Sequence, residues 1–596
     1  MNRETQAHFA QIPSMDISRS KFDRSFIHKS SCNTGELVPI YVDCDIVPGD
    51  TVTMRVADLI RMTTPITPVM DELKADFYFF FVPNRLVWDN FKKFMGENDT
   101  APWIQTSEYQ IPQILILNNG AGIINGKLVS TVQKGSVLDH MGIPTTNKWK
   151  KYAATVTDPN TEETTKRRIS ITALPARAYT LIWNEFFRSE SLQNPCNIQK
   201  NDTNVQIINT NISTWASDPE SAWTSNSFKG GLPCLKVCKT FDYFTACLPA
   251  AQAGPDVTLP MNGTAPIKTE AFKADYNGET YTYGQDSDDL YMKRLSTQSE
   301  NPNLTYVEKI ADDMTPSGTS TDSWYLGETT TGGKLIADLS EATGATINQL
   351  RTAFAIQKWQ EREARGGQRY IEMVRSHFNV TNPDFRLQRP EYLGGFTHQI
   401  SMNQVTSQGN DTTGEPLGTT GAYSLTTHKE GDVFSHSFTE HGILMGLMCI
   451  RQNQHTYQQG INRMWLKKDR FDFYTPEFAN LGETYVKEIE LYAQGTDEDN
   501  EAFGYQERWA EMRYMPDIIT GSMRSDYPQS WDIWHYGDYY EEKPVLGNKW
   551  IQETDANVLR TLAVQDEDQF KYDIYFGAIY TRPLPVFSIP GLLDHH

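Results

Sequence analysis

The chain contains no run of eighteen apolar residues; its longest candidate, GILMGLMCI at 442–450, is half of what a membrane-spanning helix needs. Cysteine is scarce, seven in 596 residues, odd in number and scattered, which is not a disulfide framework. The first twenty residues, MNRETQAHFAQIPSMDISRS, lack an apolar signal core. Together these features predict a soluble protein made in a reducing cytoplasm. An excess of basic residues is missing as well. The net charge of −21 excludes a surface that is basic throughout, so nucleic acid is left only a local basic patch.

Catalytic and metal-binding patterns are equally sparse. There is no G-x-x-x-x-G-K-[ST] loop, no G-x-S-x-G elbow, no G-x-G-x-x-G and no H-E-x-x-H. Cys234 and Cys238, with Cys247 nearby, have no histidine or second cysteine pair to complete a zinc site and read as buried thiols. His428, His436 and His441 read as loop histidines near a strand. Asp497, Asp499 and Glu501 alternate as calcium ligands do, but the EF-hand glycine and glutamate spacing is absent. A solvated acidic loop is the simpler reading, with a structural calcium ion as the alternative, and no other cofactor is expected. The sequons at Asn211 and Asn303 are chance matches in Asn/Thr-rich loops.

What is present is aromatic and β-branched. ADFYFFFVPNRLVWDNFKKFMGEN (75–98) places five aromatics in a row from Phe77 to Phe81. Rings lose rotamer freedom in a helix and suit a strand, whose successive side chains point to opposite faces. This strand is predicted to bury both faces, one inside its own domain and one against something else, a helix or an adjoining subunit. ELVPIYVDCDIVPGDTVTMRVADLI (36–60) reads as two strands around the Pro48-Gly49-Asp50 turn. RFDFYTPEFANLGETYVKEIELYA (470–493) and DIYFGAIYTRPLPVFSIPGLL (573–593) also alternate like strands. Strands at both termini suggest a sheet closed by the first and last of them, as in a jelly roll. In the middle, helical spacing and a Thr346–Gln349 capping box predict helices over 346–378, interrupted at Gly366-Gly367. Residues 255–335 are polar and turn-rich and read as surface decoration.

Residues 1–35 form a predicted arm, partly basic, in which Arg3, Arg19, Lys21, Arg24 and Lys29 outnumber Glu4, Asp16 and Asp23. Phe9, Phe22 and Phe26 interleave with these charges. Such an arm suits single-stranded nucleic acid, by charge and stacking, or docking on a neighbouring subunit.

Several blocks resemble the major capsid proteins of the small single-stranded DNA bacteriophages of the Microviridae, in the gokushovirus branch. They are VPGDTVTMRVADLIRMTTPITPVMDELKADFYFFFVPNRLVWDNFKKFMGE (47–97), GLPCLKVCKTFDYFTACLPAAQAGP (231–255), WQEREARGGQRYIEMVRSHFNV (359–380), PDFRLQRPEYLGG (383–395), ERWAEMRYMPDIITGSMRSDYPQSWDIWHYGDYY (507–540) and RPLPVFSIPGLLDHH (582–596). The resemblance implies a mainly β chain, an eight-stranded viral jelly roll over 36–596 with long helical and loop insertions. It implies a structural, non-enzymatic subunit that assembles through pentamers into a T = 1 icosahedral shell around circular single-stranded DNA. Scaffold and DNA pilot proteins are implied partners, DNA on the inner face, a host cell-surface receptor outside, and 255–335 as a protrusion at the threefold axes. It also implies assembly in the cytoplasm of a bacterial host and a final place in the virion. Aromatic residues and arginine anchor such interfaces. The candidate core or interface anchors are Phe77, Phe79, Phe81, Arg85, Trp88, Phe91, Trp359, Arg362, Trp509, Arg513 and Trp534. Two other classes fit a jelly roll, a carbohydrate-binding protein and a secreted adhesin; the first needs a cleft of paired carboxylates or stacked aromatics, the second an export signal.

Overall fold

The computed structural model describes residues 18–98, 108–117, 132–145, 168–208, 227–257, 347–409, 417–453 and 456–587, with the backbone of short strands between these stretches. The chain divides into two compact units, Met1–Ala253 with Glu361–His596, and Gly254–Gln360.

In the first unit, nine strands build an antiparallel β-sandwich. They are β1 (Ser20–Asp23), β2 (Phe26–Cys32), β3 (Val38–Ile46), β4 (Thr51–Met62), β5 (Leu73–Pro83), β6 (Glu391–Ile400), β7 (Thr426–Ser437), β8 (Gly442–Gln452) and β9 (Phe570–Arg582). One sheet runs β7, β4, β9, with β1 and β2 both along the far edge of β9; the other runs β6, β5, β8, β3. Consecutive strands alternate between the sheets: β3 to β4, β4 to β5, β6 to β7 and β7 to β8 each cross the sandwich.

The two sheets differ in pattern because they differ in what covers them. In β4 and β9 every second side chain is buried, so Val52, Met54, Val56 and Ile60 meet Ile574, Phe576 and Tyr580 in the interior. In β5 and β8 nearly every residue is buried, the mark of a sheet covered on both faces. The outer cover is a second core that includes α1 (Leu174–Ile182), the π-helical turn Trp183–Phe187, and Ile114, Ile116, Val205 and Ile207 from a smaller sheet. Leu174–Ile182 carries Pro175 as its second residue, in the first turn, where the missing N–H costs nothing.

Three sequence expectations meet their outcome here. The turn at Pro48-Gly49-Asp50 forms, with Gly49 at φ +94° and Asp50 accepting the Val47 N–H at 3.1 Å. The helices α2 (Ile347–Gly366) and α3 (Tyr370–Phe378) are present; Gly367 at φ +96° follows the first and Asn379 at φ +55° ends the second. The expected capping residue Thr346 lies outside the described residues. The expected strand over 470–493 is a correction. Arg470–Asp472 and Pro476–Phe478 are 3₁₀ turns, Glu483–Lys487 is a short strand and Glu488–Leu491 a helical turn. Asp469 caps the first turn and Pro476 starts the second, and these local bonds outweigh the alternating pattern.

The arm also needs correction. From residue 20 onward it is sheet, with Phe22 opposite Tyr580 and Phe26 opposite Phe576. Arg3 and Phe9 lie outside the described residues. Of the segment 255–335, only strand pairings are described, such as Phe272–Tyr276 with Glu279–Tyr283 and Tyr291–Leu295 with Tyr306–Lys309.

Candidate assembly surfaces

The aromatic run sorts by strand alternation. Phe77, Phe79 and Phe81 point between the sheets, where they meet Phe396 at 4.4 Å, Phe434 at 5.5 Å and Phe438 at 4.6 Å between ring centroids. Tyr78 and Phe80 point the other way, onto Phe187 at 5.1 Å and Phe186 at 4.8 Å. Both faces are therefore covered by this chain itself. The cover of the second face, which the sequence left unnamed, is the helical turn a hundred residues further on.

Beyond β5, Arg85 makes a two-pronged bond to Glu440, Nε to Oε2 at 2.5 Å and Nη2 to Oε1 at 2.9 Å. This hydrogen bonding to Glu440 raises the guanidinium pKa. The pair ties the end of β5 to the β7–β8 turn. Trp88 is fully buried and donates its indole N–H to Asp202 at 2.5 Å. Phe91, half-buried, lies at the edge of that ring cluster, 6.2 Å from Trp88. Trp509 is buried at the unusual φ of +71° and donates to the Phe478 carbonyl at 3.0 Å. Arg513 pairs with Glu507, and Trp534 is half-buried with its carbonyl accepting the Met70 N–H at 2.8 Å. Trp359 and Arg362 are exposed on α2.

The basic residues near the N-terminus do not share one environment. Arg24 donates to Asp43 at 2.5 Å and lies over the Tyr580 ring, and Lys29 pairs with Asp573. Arg19 and Lys21 are exposed. Among the described residues neither of these two forms an ion pair, although Lys21 lies near enough to Asp23 to help lower its carboxyl pKa.

The acidic loop stays solvated at Asp497, Glu498 and Glu501, and only Asp499 turns inward. Asp499 accepts the N–H groups of Gln494 and Gly495 at 2.9 and 2.8 Å, while Lys543 reaches Glu501 at 2.5 Å and Glu498 at 3.3 Å. Among the described residues no group of three or more His, Cys, Asp or Glu is placed to hold a metal ion. Elsewhere a deeply buried pair, Lys239 with Asp538 at 2.5 Å, is completed by Asn557 and Tyr540. Near it, burial pushes the Glu553 carboxyl up to about 8.

Sequence reasoning did not single out one group of exposed large side chains. Trp465, Phe473, Met512, Tyr514, Met515, Ile518, Tyr527 and Trp531 all stand in solvent on a stretch of turns between β8 and β9. Leu584, Val586 and Phe587, just past β9, are exposed too. The available signal was the mixture of Met, Trp and Tyr with turn residues and no apolar period, which describes a surface awaiting a partner rather than a core. No helix among the described residues is long and apolar enough to cross a membrane.

The chain matches the capsid protein (F protein) family over residues 10–592. It is 36% identical to capsid protein VP1 of Bdellovibrio phage phiMH2K over 593 residues, covering 99% of this chain and 98% of the relative. It is 33% identical to capsid protein VP1 of Chlamydia phage 1, over 98% of this chain and 97% of the relative. The corresponding protein of Spiroplasma virus 4 is 34% identical, with the same coverage of each chain. A two-sheet scaffold that buries its aromatics within itself, and leaves a separate band of aromatics and methionines uncovered, suits such a role, and this chain belongs to the capsid protein (F protein) family of virion structural proteins.

Proposed function

We propose that this chain is the repeating subunit of a T = 1 icosahedral shell, built through pentamers around a circular single-stranded DNA genome. The observation that carries the proposal is the near-complete match to capsid proteins at both ends of the chain, together with a sandwich whose consecutive strands alternate between sheets. That alternation is the connectivity of a jelly roll, and we take the sandwich to be one. Its rigid two-sheet frame leaves loops free to contact neighbours, scaffold and pilot proteins, and the host surface. Residues 255–335 are the proposed host-attachment protrusion.

Electron microscopy with mass photometry of the purified chain, alone and with a scaffold partner, tests the assembly. Uniform closed particles, or pentamers that close into them, are expected. A chain that stays monomeric under every condition would remove the shell reading.

A further inference from the structure

The stretch of turns between β8 and β9 carries, beside its exposed rings, a cluster of cations that the assembly reading does not use. Residues 463–474 read RMWLKKDRFDFY and hold four cations, Arg463, Lys467, Lys468 and Arg470, against Asp469 and Asp472, in a chain of net charge −21. Both acids are turned to the backbone. Asp469 accepts the Phe471 N–H at 2.6 Å, and Asp472 accepts those of Lys468 and Asp469 at 2.7 and 3.0 Å. These bonds hold the Asp472 carboxyl below its usual range and fix the turn.

The cations meet rings instead of carboxylates. Lys467 lies 4.8 Å from the Phe473 ring centre, Arg470 4.7 Å from Phe471, and Arg508 5.1 Å from Trp509. Among the described residues the ion pairs here belong to Arg463, with Glu490 and Glu511, and none involves Lys467, Lys468, Arg470 or Arg508. The rings are open to solvent: Trp465 is 74% exposed, Phe473 58% and Phe471 49%. A cleft of about 90 Å³ opens beside them, lined by Arg463, Lys467, Lys487 and Arg508 as well as by Asp472 and Glu511.

We propose that Trp465, Phe471 and Phe473, with Lys467, Lys468 and Arg470, form a binding face for single-stranded nucleic acid. Bases stack on the open rings while the backbone phosphates meet the neighbouring cations, the arrangement of sequence-tolerant single-strand binders. A second copy of the chain is the competing occupant. Lysine is depleted at the cores of protein interfaces, whereas two adjacent unpaired lysines between exposed rings complement a polyanion. This proposal rests on the reading that the shell encloses single-stranded DNA, and it names where the subunit touches it.

Fluorescence anisotropy of a labelled twenty-nucleotide oligo-dT, titrated with the full chain over a range of salt, tests it, with mass photometry on the same samples. Lys468→Glu/Arg470→Glu is expected to weaken binding at least tenfold and to lower the log–log salt slope by about 1.4, two phosphate contacts at the single-strand value. Trp465→Ala is expected to lose roughly tenfold with the slope unchanged. Both changes lie on exposed side chains, and circular dichroism confirms that the fold is kept. Variants that bind as tightly as the parent overturn the site and point to Arg19 and Lys21. Variants that bind normally but no longer associate reassign the face to contact between copies. A parent chain that forms closed particles yet ignores oligo-dT overturns the site and leaves the shell standing. Binding through this face without any particles keeps the site and removes the shell.

Discussion

Tyr580 donates its hydroxyl to Asp43 at 2.6 Å, and because that proton is committed, the Tyr41 hydroxyl 2.6 Å away must donate to Tyr580. Arg24 supplies Asp43 with a further donor at 2.5 Å. One buried carboxylate thus joins β1–β2, β3 and β9, the beginning and the end of the sandwich. Tyr580→Phe removes one donor from Asp43 and the acceptor for Tyr41. Chemical denaturation should show a loss of about 1–3 kcal/mol, the cost of buried polar groups left unmatched. An unchanged midpoint would mean that the network contributes no stability.

Where β8 passes β5, the chain has no room for a side chain. A Cβ added at Gly446 would lie 2.8 Å from Phe79 Cε1 and 2.9 Å from Tyr41 Cβ. Gly446→Ala should therefore destabilise by about 1–3 kcal/mol through overpacking, although alanine has the better intrinsic strand preference. Thermal unfolding of the two proteins at equal concentration decides it.

Glu553 sets a pH dependence with a definite sign. Its carboxyl is pushed by burial from the ordinary 4.5 to about 8, so between those values the folded chain holds a proton that the unfolded chain has released. Stability from this group is therefore greatest at low pH and falls as pH rises through that window. Glu553→Gln keeps an acceptor for the Gln452 N–H, found at 3.3 Å, and removes the titration. Relative to the parent it should gain about 2–4 kcal/mol on going from pH 5 to pH 8. Parallel unfolding curves at the two pH values would refute this.

Replacing residues 258–346 by a flexible linker removes most of the Gly254–Gln360 unit and leaves every strand of the sandwich in place. The shortened chain is expected to stay soluble and to assemble, while particles carrying it lose attachment to host cells. Aggregated protein in place of particles would show that the segment is needed for the fold.

Much of the architecture was legible in the sequence, and its failures have physical causes. The run from Phe77 to Phe81 announced a strand buried on both faces, and the turn at Gly49 announced the break between β3 and β4, though not that they lie in different sheets. The cover of β5 was not legible, because Phe186 and Phe187 belong to a helical turn that only the folded topology brings back to Tyr78 and Phe80. The segment SKFDRSFIHKSSC (20–32) read as an arm because its strand character comes from its pairing with β9, not from its own alternation. The reverse error occurred at RFDFYTPEF, where aromatic alternation imitated a strand and hid an exposed, cation-studded turn. Of the anchors proposed from sequence, Phe77, Phe79, Phe81 and Trp88 are interior residues. The side chains most available to a partner lay in stretches whose composition carries no period.

The position of β9 has a consequence for how a virion is made. This strand lies between β4 and the β1–β2 pair, with Phe22 opposite Tyr580, so its place in the sheet stays empty until residues 570–582 have left the ribosome. Pairings so distant in sequence form slowly and late. A chain abandoned before residue 570 would carry two unpaired strand edges and no closed sandwich. A product cut short of β9 exposes edges that invite aggregation or degradation, and only a chain that has reached β9 has the closed frame that a capsid subunit requires.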